Sequence, residues 1–177
     1  AVIVYRMLQR DPSLNMSAQD YFPAGLNPEI VYVYILPVLQ AGDRQRFEAA
    51  LAAFRALPVT EGWGSYTNRA GVLQEIGDLP GALDMSSRAI AEAPPNEPAV
   101  LNNHCYILFS AGRPRDAVAL CERAVAAAPG AAAARHSMAA VLAALGRCRE
   151  SERELGEARR LDPVTTSYQQ PVACAAN

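Results

Sequence analysis

Small and apolar positions recur along this chain at a nearly fixed interval. Phe47, Ala82, Ala117 and Ser151 form one series, and Phe54, Ala89, Ala124 and Ala158 form another. Between Val100 and Phe109, apolar residues at 101, 105 and 108 follow a helical period. From 117 to 125, Ala117, Val118, Cys121, Ala124 and Val125 share one face of a second helix. Two such helices in succession predict a hairpin. Small residues at 105, 117 and 124 let its arms approach closely.

Glycine and proline punctuate the same pattern. Gly42, Gly77, Gly112 and Gly146 each stand five residues ahead of a member of the first series. Glycine past a helical run closes the helix in a left-handed backbone. Pro94, Pro129 and Pro163 lie seventeen residues after the last three glycines, and Pro58 falls one residue early. Each stops the second helix, because the residue before proline is pushed out of helical geometry. The predicted pairs are Ile30 to Ala41 with Arg44 to Leu57, Tyr66 to Ile76 with Pro80 to Ala93, the pair around Gly112, and Arg135 to Leu145 with Arg147 to Leu161. Pro37 should kink the first of these helices. Stacked copies of one helical unit are implied.

The glycine, the small residues five and twelve after it and the proline seventeen after it resemble the tetratricopeptide repeat family, over about residues 28 to 163. The resemblance implies an all-α fold, a right-handed superhelical array of antiparallel helical hairpins (an α-solenoid). The repeats would span about 28–62, 63–97, 98–131 and 132–163. Two departures stand out. The aromatic often found early in the first helix appears only as Tyr66, and the large residue nine after the glycine is Leu51, Ser86, Cys121 and Leu155. Residues 1–12 read as the remnant of a preceding repeat helix, 13–27 as a linker and 164–177 as a C-terminal tail. With Pro171 inside, the tail reads as a poor cap, leaving the last hairpin to be covered by another domain or subunit.

Composition narrows the classes. The 177 residues suffice for one domain with a good core, and a formal net charge of −2 gives no bulk attraction for nucleic acid. No apolar run approaches the roughly 18 residues of a membrane span. All sixteen basic residues are arginine. With its many alanines, that composition points to a GC-rich, bacterial genome. Lacking lysine, the chain has neither a P-loop lysine nor a Schiff-base lysine.

Candidate chemistry is sparse. The four cysteines, at 105, 121, 148 and 174, form no C-x-x-C pair. Cys105 and Cys121 occupy packing positions and read as reduced, small hydrophobes. A Cys105–Cys121 disulfide is the alternative and requires an oxidising compartment. His104 takes a position normally filled by a buried leucine and reads as packing. His136 should face the groove as a polar contact. No hydrolase, zinc-protease, calcium-loop or phosphate-loop motif occurs. An enzyme, a metal and a cofactor are therefore not expected. The arginine pairs Arg44/Arg46, Arg113/Arg115 and Arg147/Arg149 open second helices. They read as solvated turns, with a basic edge for an acidic partner as the alternative.

In proteins of this family the first helices line a concave groove. The resemblance places Tyr32, Thr67, Asn68, Asn102, Asn103, Tyr106, Phe109 and His136 on it. An asparagine offers both donor and acceptor to an extended peptide backbone, and Asn68 and Asn103 stand at equivalent positions. The aromatic residues would supply apolar anchors. A chaperone-tail clamp needs cations on the groove. The matching residues here are Thr67, Gly71, Asn103, Ala133 and Ser137, so that role is not expected. What remains is a non-catalytic adaptor or assembly subunit with a peptide or protein partner. The alternatives are a regulatory or substrate-recruiting domain of a larger enzyme, and an envelope or secretion-system assembly protein. A cytoplasmic location is expected, with a periplasmic one as the alternative.

Overall fold

The computed structural model describes residues 44–175, together with Leu36 and Gly42. The described residues contain helices and no strand. The helices are α1 (Arg44–Ala56), α2 (Trp63–Glu75), α3 (Leu79–Glu92), α4 (Pro98–Ser110), α5 (Pro114–Ala127), α6 (Ala132–Ala144), α7 (Cys148–Leu161) and α8 (Thr166–Gln169). Apart from Leu36, the first helix of the earliest pair, with Pro37, the linker at 13–27 and the remnant at 1–12 lie outside the described residues.

The last three glycines do what their positions predict. Gly77, Gly112 and Gly146 have φ of 82°, 74° and 73°. In each turn the same two bonds close the helix. The residue after the glycine donates to the carbonyl five back (Asp78 to Leu73, Arg113 to Leu108, Arg147 to Leu142), at 2.8, 2.9 and 2.9 Å. The glycine itself donates to Gln74, Phe109 or Ala143. This paired closure is the Schellman motif. Gly42 differs, for it is helical. The three described first helices begin earlier than the pattern indicates. Pro98 opens α4 at a position where a missing N–H costs nothing.

The chain divides into two compact units between Met85 and Ser86, within α3. In the first unit, Leu51 and Phe54 of α1 and Tyr66, Ala70, Val72 and Leu73 of α2 are buried. Arg69 is buried as well and ties the two helices together. Its guanidinium lies 4.7 Å from the centre of the Phe54 ring and donates to the carbonyls of Leu57 (3.3 Å) and Phe54 (3.5 Å).

In the second unit α4 packs on α5, α6 on α7, and α6 also contacts both α4 and α5. Leu101, Ala124 and Ala134 form a buried junction, with Ile90, Leu120, Val125 and Ala131 packed against it. The small series is buried throughout: Ala117 and Ala124 have no exposure, and the Ser151 hydroxyl donates to the Ala139 carbonyl at 2.7 Å. Small side chains at these crossings let the backbones come close.

Both cysteine pairs are joined, Cys105 to Cys121 and Cys148 to Cys174. This corrects the expectation of reduced thiols, and the Cys148–Cys174 bond adds a pair that the repeat pattern does not indicate. The Cα atoms stand 5.4 and 5.7 Å apart, within the usual disulfide range. The first pair joins the facing helices α4 and α5. The second joins the start of α7 to the segment that follows it.

Candidate functional site

Two adjacent stripes of α4 have different fates. Leu101, Cys105 and Leu108, at i, i+4 and i+7, are buried in the hairpin. Asn102, Tyr106 and Phe109, one residue further round, are partly exposed. A helix places such a triplet on one face, so these residues form a second, partly exposed stripe. The Tyr106 and Phe109 rings lie 5.7 Å apart, tilted by 39°. One turn earlier on the helix, the Asn102 Oδ1 is buried and accepts no hydrogen bond from a described residue. A buried carbonyl in that state favours an incoming donor. Asn103 is partly exposed on the same helix.

The remaining candidates are scattered over other helices. Thr67 and Asn68 are partly exposed on α2, in the first unit. The Thr67 hydroxyl donates to the Trp63 carbonyl at 2.7 Å, a local bond that occupies its proton. Tyr32 lies outside the described residues. His136 on α6 is not open: the Tyr168 ring of α8 sits 4.8 Å from it. Within the second unit the structure thus brings together Asn102, Asn103, Tyr106 and Phe109, while His136 has an occupant already.

His104 is partly exposed, and its Nδ1 lies 2.8 Å from the buried Ser86 hydroxyl. Burial, and secondarily the positive charge of Arg113, hold its pKa below the ordinary histidine value. Burial alone lowers that of His136. Both rings therefore favour the neutral form. The turn arginines are engaged with their own helices. Arg113 pairs with Asp116 at 2.7 Å and Arg147 with Glu150 at 2.7 Å, both i,i+3. Exposed pairs of this kind contribute about 0–1 kcal/mol and belong to solvated turns. A cleft of about 620 Å³ opens between these two turns, lined by Arg113, Arg115, Asp116, Leu145 and Ala175 among others. It contains none of the candidate groove residues. Among the described residues no three His, Cys, Asp or Glu side chains are grouped to hold a metal ion. No helix among them is long and apolar enough to cross a membrane.

The segment after α7 does not leave the last hairpin bare, as a poor cap would; it lies along it. Arg159 donates to the carbonyls of Tyr168, Gln169 and Gln170. The Ala175 amide donates to the Ala143 carbonyl at 2.9 Å. The sequence holds one sign of this: Asp162 and Thr165 have the spacing of a turn in which a carboxylate accepts from the following amides.

Comparison with known proteins agrees with this architecture. Residues 108–172 match the family described as tetratricopeptide repeat. The fold is similar to that of the first TPR of Spaghetti (RPAP3) bound to the HSP90 peptide SRMEEVD. That likeness has a TM-score of 0.55 at 19% identity and covers 60% of this chain and 84% of that one. It is similar to YrrB, a TPR protein with an unusual peptide-binding site (TM-score 0.51, 17% identity, 93% of this chain and 77% of that one). It is similar to MamA as well (TM-score 0.50, 18% identity, 93% and 87%). At these identities the likeness establishes the fold. No curated protein matches the chain in sequence.

Proposed function

We propose that this chain is a tetratricopeptide repeat protein that acts as a non-catalytic adaptor and holds a peptide or protein segment on its first-helix faces. The observation that carries the reading is the partly exposed aromatic stripe of α4. Two aromatic rings in mutual contact follow Asn102, whose buried side-chain carbonyl has no described donor, on a helix whose adjacent stripe is committed to the core. Aromatic side chains supply much of the binding energy in such contacts, and Asn102 and Asn103 add backbone-matching hydrogen bonds. In the repeats proposed before it, the positions equivalent to Asn102 and Asn103 carry Thr67 and Asn68 and, outside the described residues, Tyr32. Of the similar proteins, one carries a bound peptide and another has a peptide-binding site. The ligand is not a carboxylate-rich chaperone tail, because the positions that would grip one carry no cation.

Two disulfides favour an oxidising compartment, and with it the periplasmic alternative over the cytoplasm. Non-reducing peptide mapping of protein recovered from its native cell tests this point.

The adaptor reading is tested by selecting displayed random peptides on the immobilised chain, then measuring the enriched peptides against a Tyr106→Ala/Phe109→Ala variant. Loss of at least about tenfold in affinity supports the reading. Enriched peptides indifferent to both substitutions move the function away from this face.

A further inference from the structure

Residues 164–175 bind the last hairpin in the manner of a peptide ligand. Asp162 turns the chain back: its carboxylate accepts from the amides of Val164 and Thr165 at 3.1 Å each and from the Thr165 hydroxyl at 2.6 Å. α8 then sets Tyr168 against His136, near the start of α6. The Arg159 guanidinium gathers the carbonyls of Tyr168, Gln169 and Gln170 at 2.8, 3.2 and 3.2 Å. Beyond Gln170 the segment carries no helix and reaches the far end of α6, where Ala175 bonds Ala143. From His136 to Ala143 is about 10 Å along a helix.

None of residues 164–175 is buried. The segment lies on the hairpin without entering its core. Most of its bonds use its backbone, so a different sequence can make them equally well. Two side chains give it identity, Tyr168 and Cys174. The Cys148–Cys174 bond is partly exposed, whereas Cys105 and Cys121 have 0% and 1% exposure. A reductant therefore reaches the fastening bond first.

We propose that the His136–Arg159–Ala143 surface is a peptide-docking site, occupied in cis by residues 164–175, and that the Cys148–Cys174 bond controls whether a partner's peptide can take their place. The inference rests on the adaptor reading above and names a further site for it. The partner segment presents one aromatic side chain to His136 and consecutive backbone carbonyls to Arg159. Opening needs a dithiol reductant. It is oxidised to its own disulfide as two electrons and two protons pass to the sulfurs, leaving Cys148 and Cys174 as thiols. A tethered segment competes at an effective concentration in the millimolar range, so release of the bond alone weakens the cover rather than removing it.

The probe is a fluorescein-labelled synthetic peptide of residues 164–175 carrying Cys174→Ser, titrated by anisotropy into the full chain. It should bind a Tyr168→Ala/Cys174→Ser chain at least about tenfold more tightly than the oxidised parent. A probe that also carries Tyr168→Ala should lose that gain. Equal binding to both chains, or no binding to a variant whose circular dichroism and melting match the parent, overturns the proposal. Where the variant fails to fold, the parent is labelled with diethyl pyrocarbonate before and after dithiothreitol. His136 should react several-fold faster after reduction, and also without reductant in a Cys148→Ser/Cys174→Ser chain; an unchanged rate overturns the proposal. Should this probe fail while selected peptides still respond to Tyr106→Ala/Phe109→Ala, the docking site falls and the adaptor reading stands.

Discussion

Ser86 and His104 are hydrogen-bonded across 2.8 Å between α3 and α4. Each departs from the repeat pattern, since Ser86 stands where other copies carry a larger residue and His104 stands where a leucine is usual. Together they satisfy one another. A double-mutant cycle tests this coupling. Ser86→Ala and His104→Leu should each destabilise the chain by about 1 kcal/mol. The double variant should cost less than their sum by about 0.5–1 kcal/mol. Additive costs in chemical denaturation would show that the two residues act independently.

The three Schellman turns make a sharper distinction among glycines. Gly112 sits at φ 74°, and a Cβ added there would meet nothing within 4 Å, so Gly112→Ala brings no clash and strains only the backbone. A left-handed alanine costs about 1–2 kcal/mol. Gly42, which is helical, also has open space around it. Gly42→Ala should be neutral or stabilising by up to about 1 kcal/mol. The Gly112 variant should melt below the parent, and the Gly42 variant at or above it.

Arg69 stabilises the first unit through its donors as well as its stem. Arg69→Met keeps much of the packing on Phe54 but removes the bonds to the Leu57 and Phe54 carbonyls. A loss of about 1–3 kcal/mol is expected. Arg69→Lys should not restore the parent, since an ammonium lacks the planar fork that reaches both carbonyls. Full recovery with lysine would reduce the role of Arg69 to charge alone.

Acid should weaken the fold in two stages. His104 and His136 have lowered pKa values in the folded chain, by burial in both and also by Arg113 at His104. Below about pH 6.5 the unfolded chain takes up these protons first, so stability falls as pH falls until the folded values are reached. Their contribution is complete above that window. Glu150, Glu157 and Asp162 have lowered values because Arg147, Arg160 and Thr165 respectively donate to them. Their contribution is lost only in the carboxylate range, near pH 4 and below. Unfolding free energy measured against pH should therefore be level between about pH 7 and 9 and decline below about 6.5, with a smaller decline in His104→Leu.

Much of the fold is legible in the sequence because the repeat fixes it redundantly. Gly77, Gly112 and Gly146 each require one backbone geometry, and the burial of Ala82, Ala117 and Ala124 follows from the same register. Helix starts are less legible, since those near residues 63, 98 and 132 carry no side-chain cap. The α4 stripe can be located by counting from Gly112. The cover over His136 cannot, because Arg159, Tyr168 and Cys174 meet only through tertiary folding. The second disulfide is hidden for the same reason: Cys148 and Cys174 are 26 residues apart, and no local spacing announces a pair.

A partner held on the α4 stripe is tested most directly by site-specific photo-cross-linking in the native setting. A benzophenone side chain would replace Phe109 in one chain and the exposed Ala119 of α5 in another. Phe109 should capture a discrete partner segment, Ala119 should not, and Tyr106→Ala should reduce the capture. Capture from Ala119 alone, or equal capture from both positions, would contradict binding on this stripe.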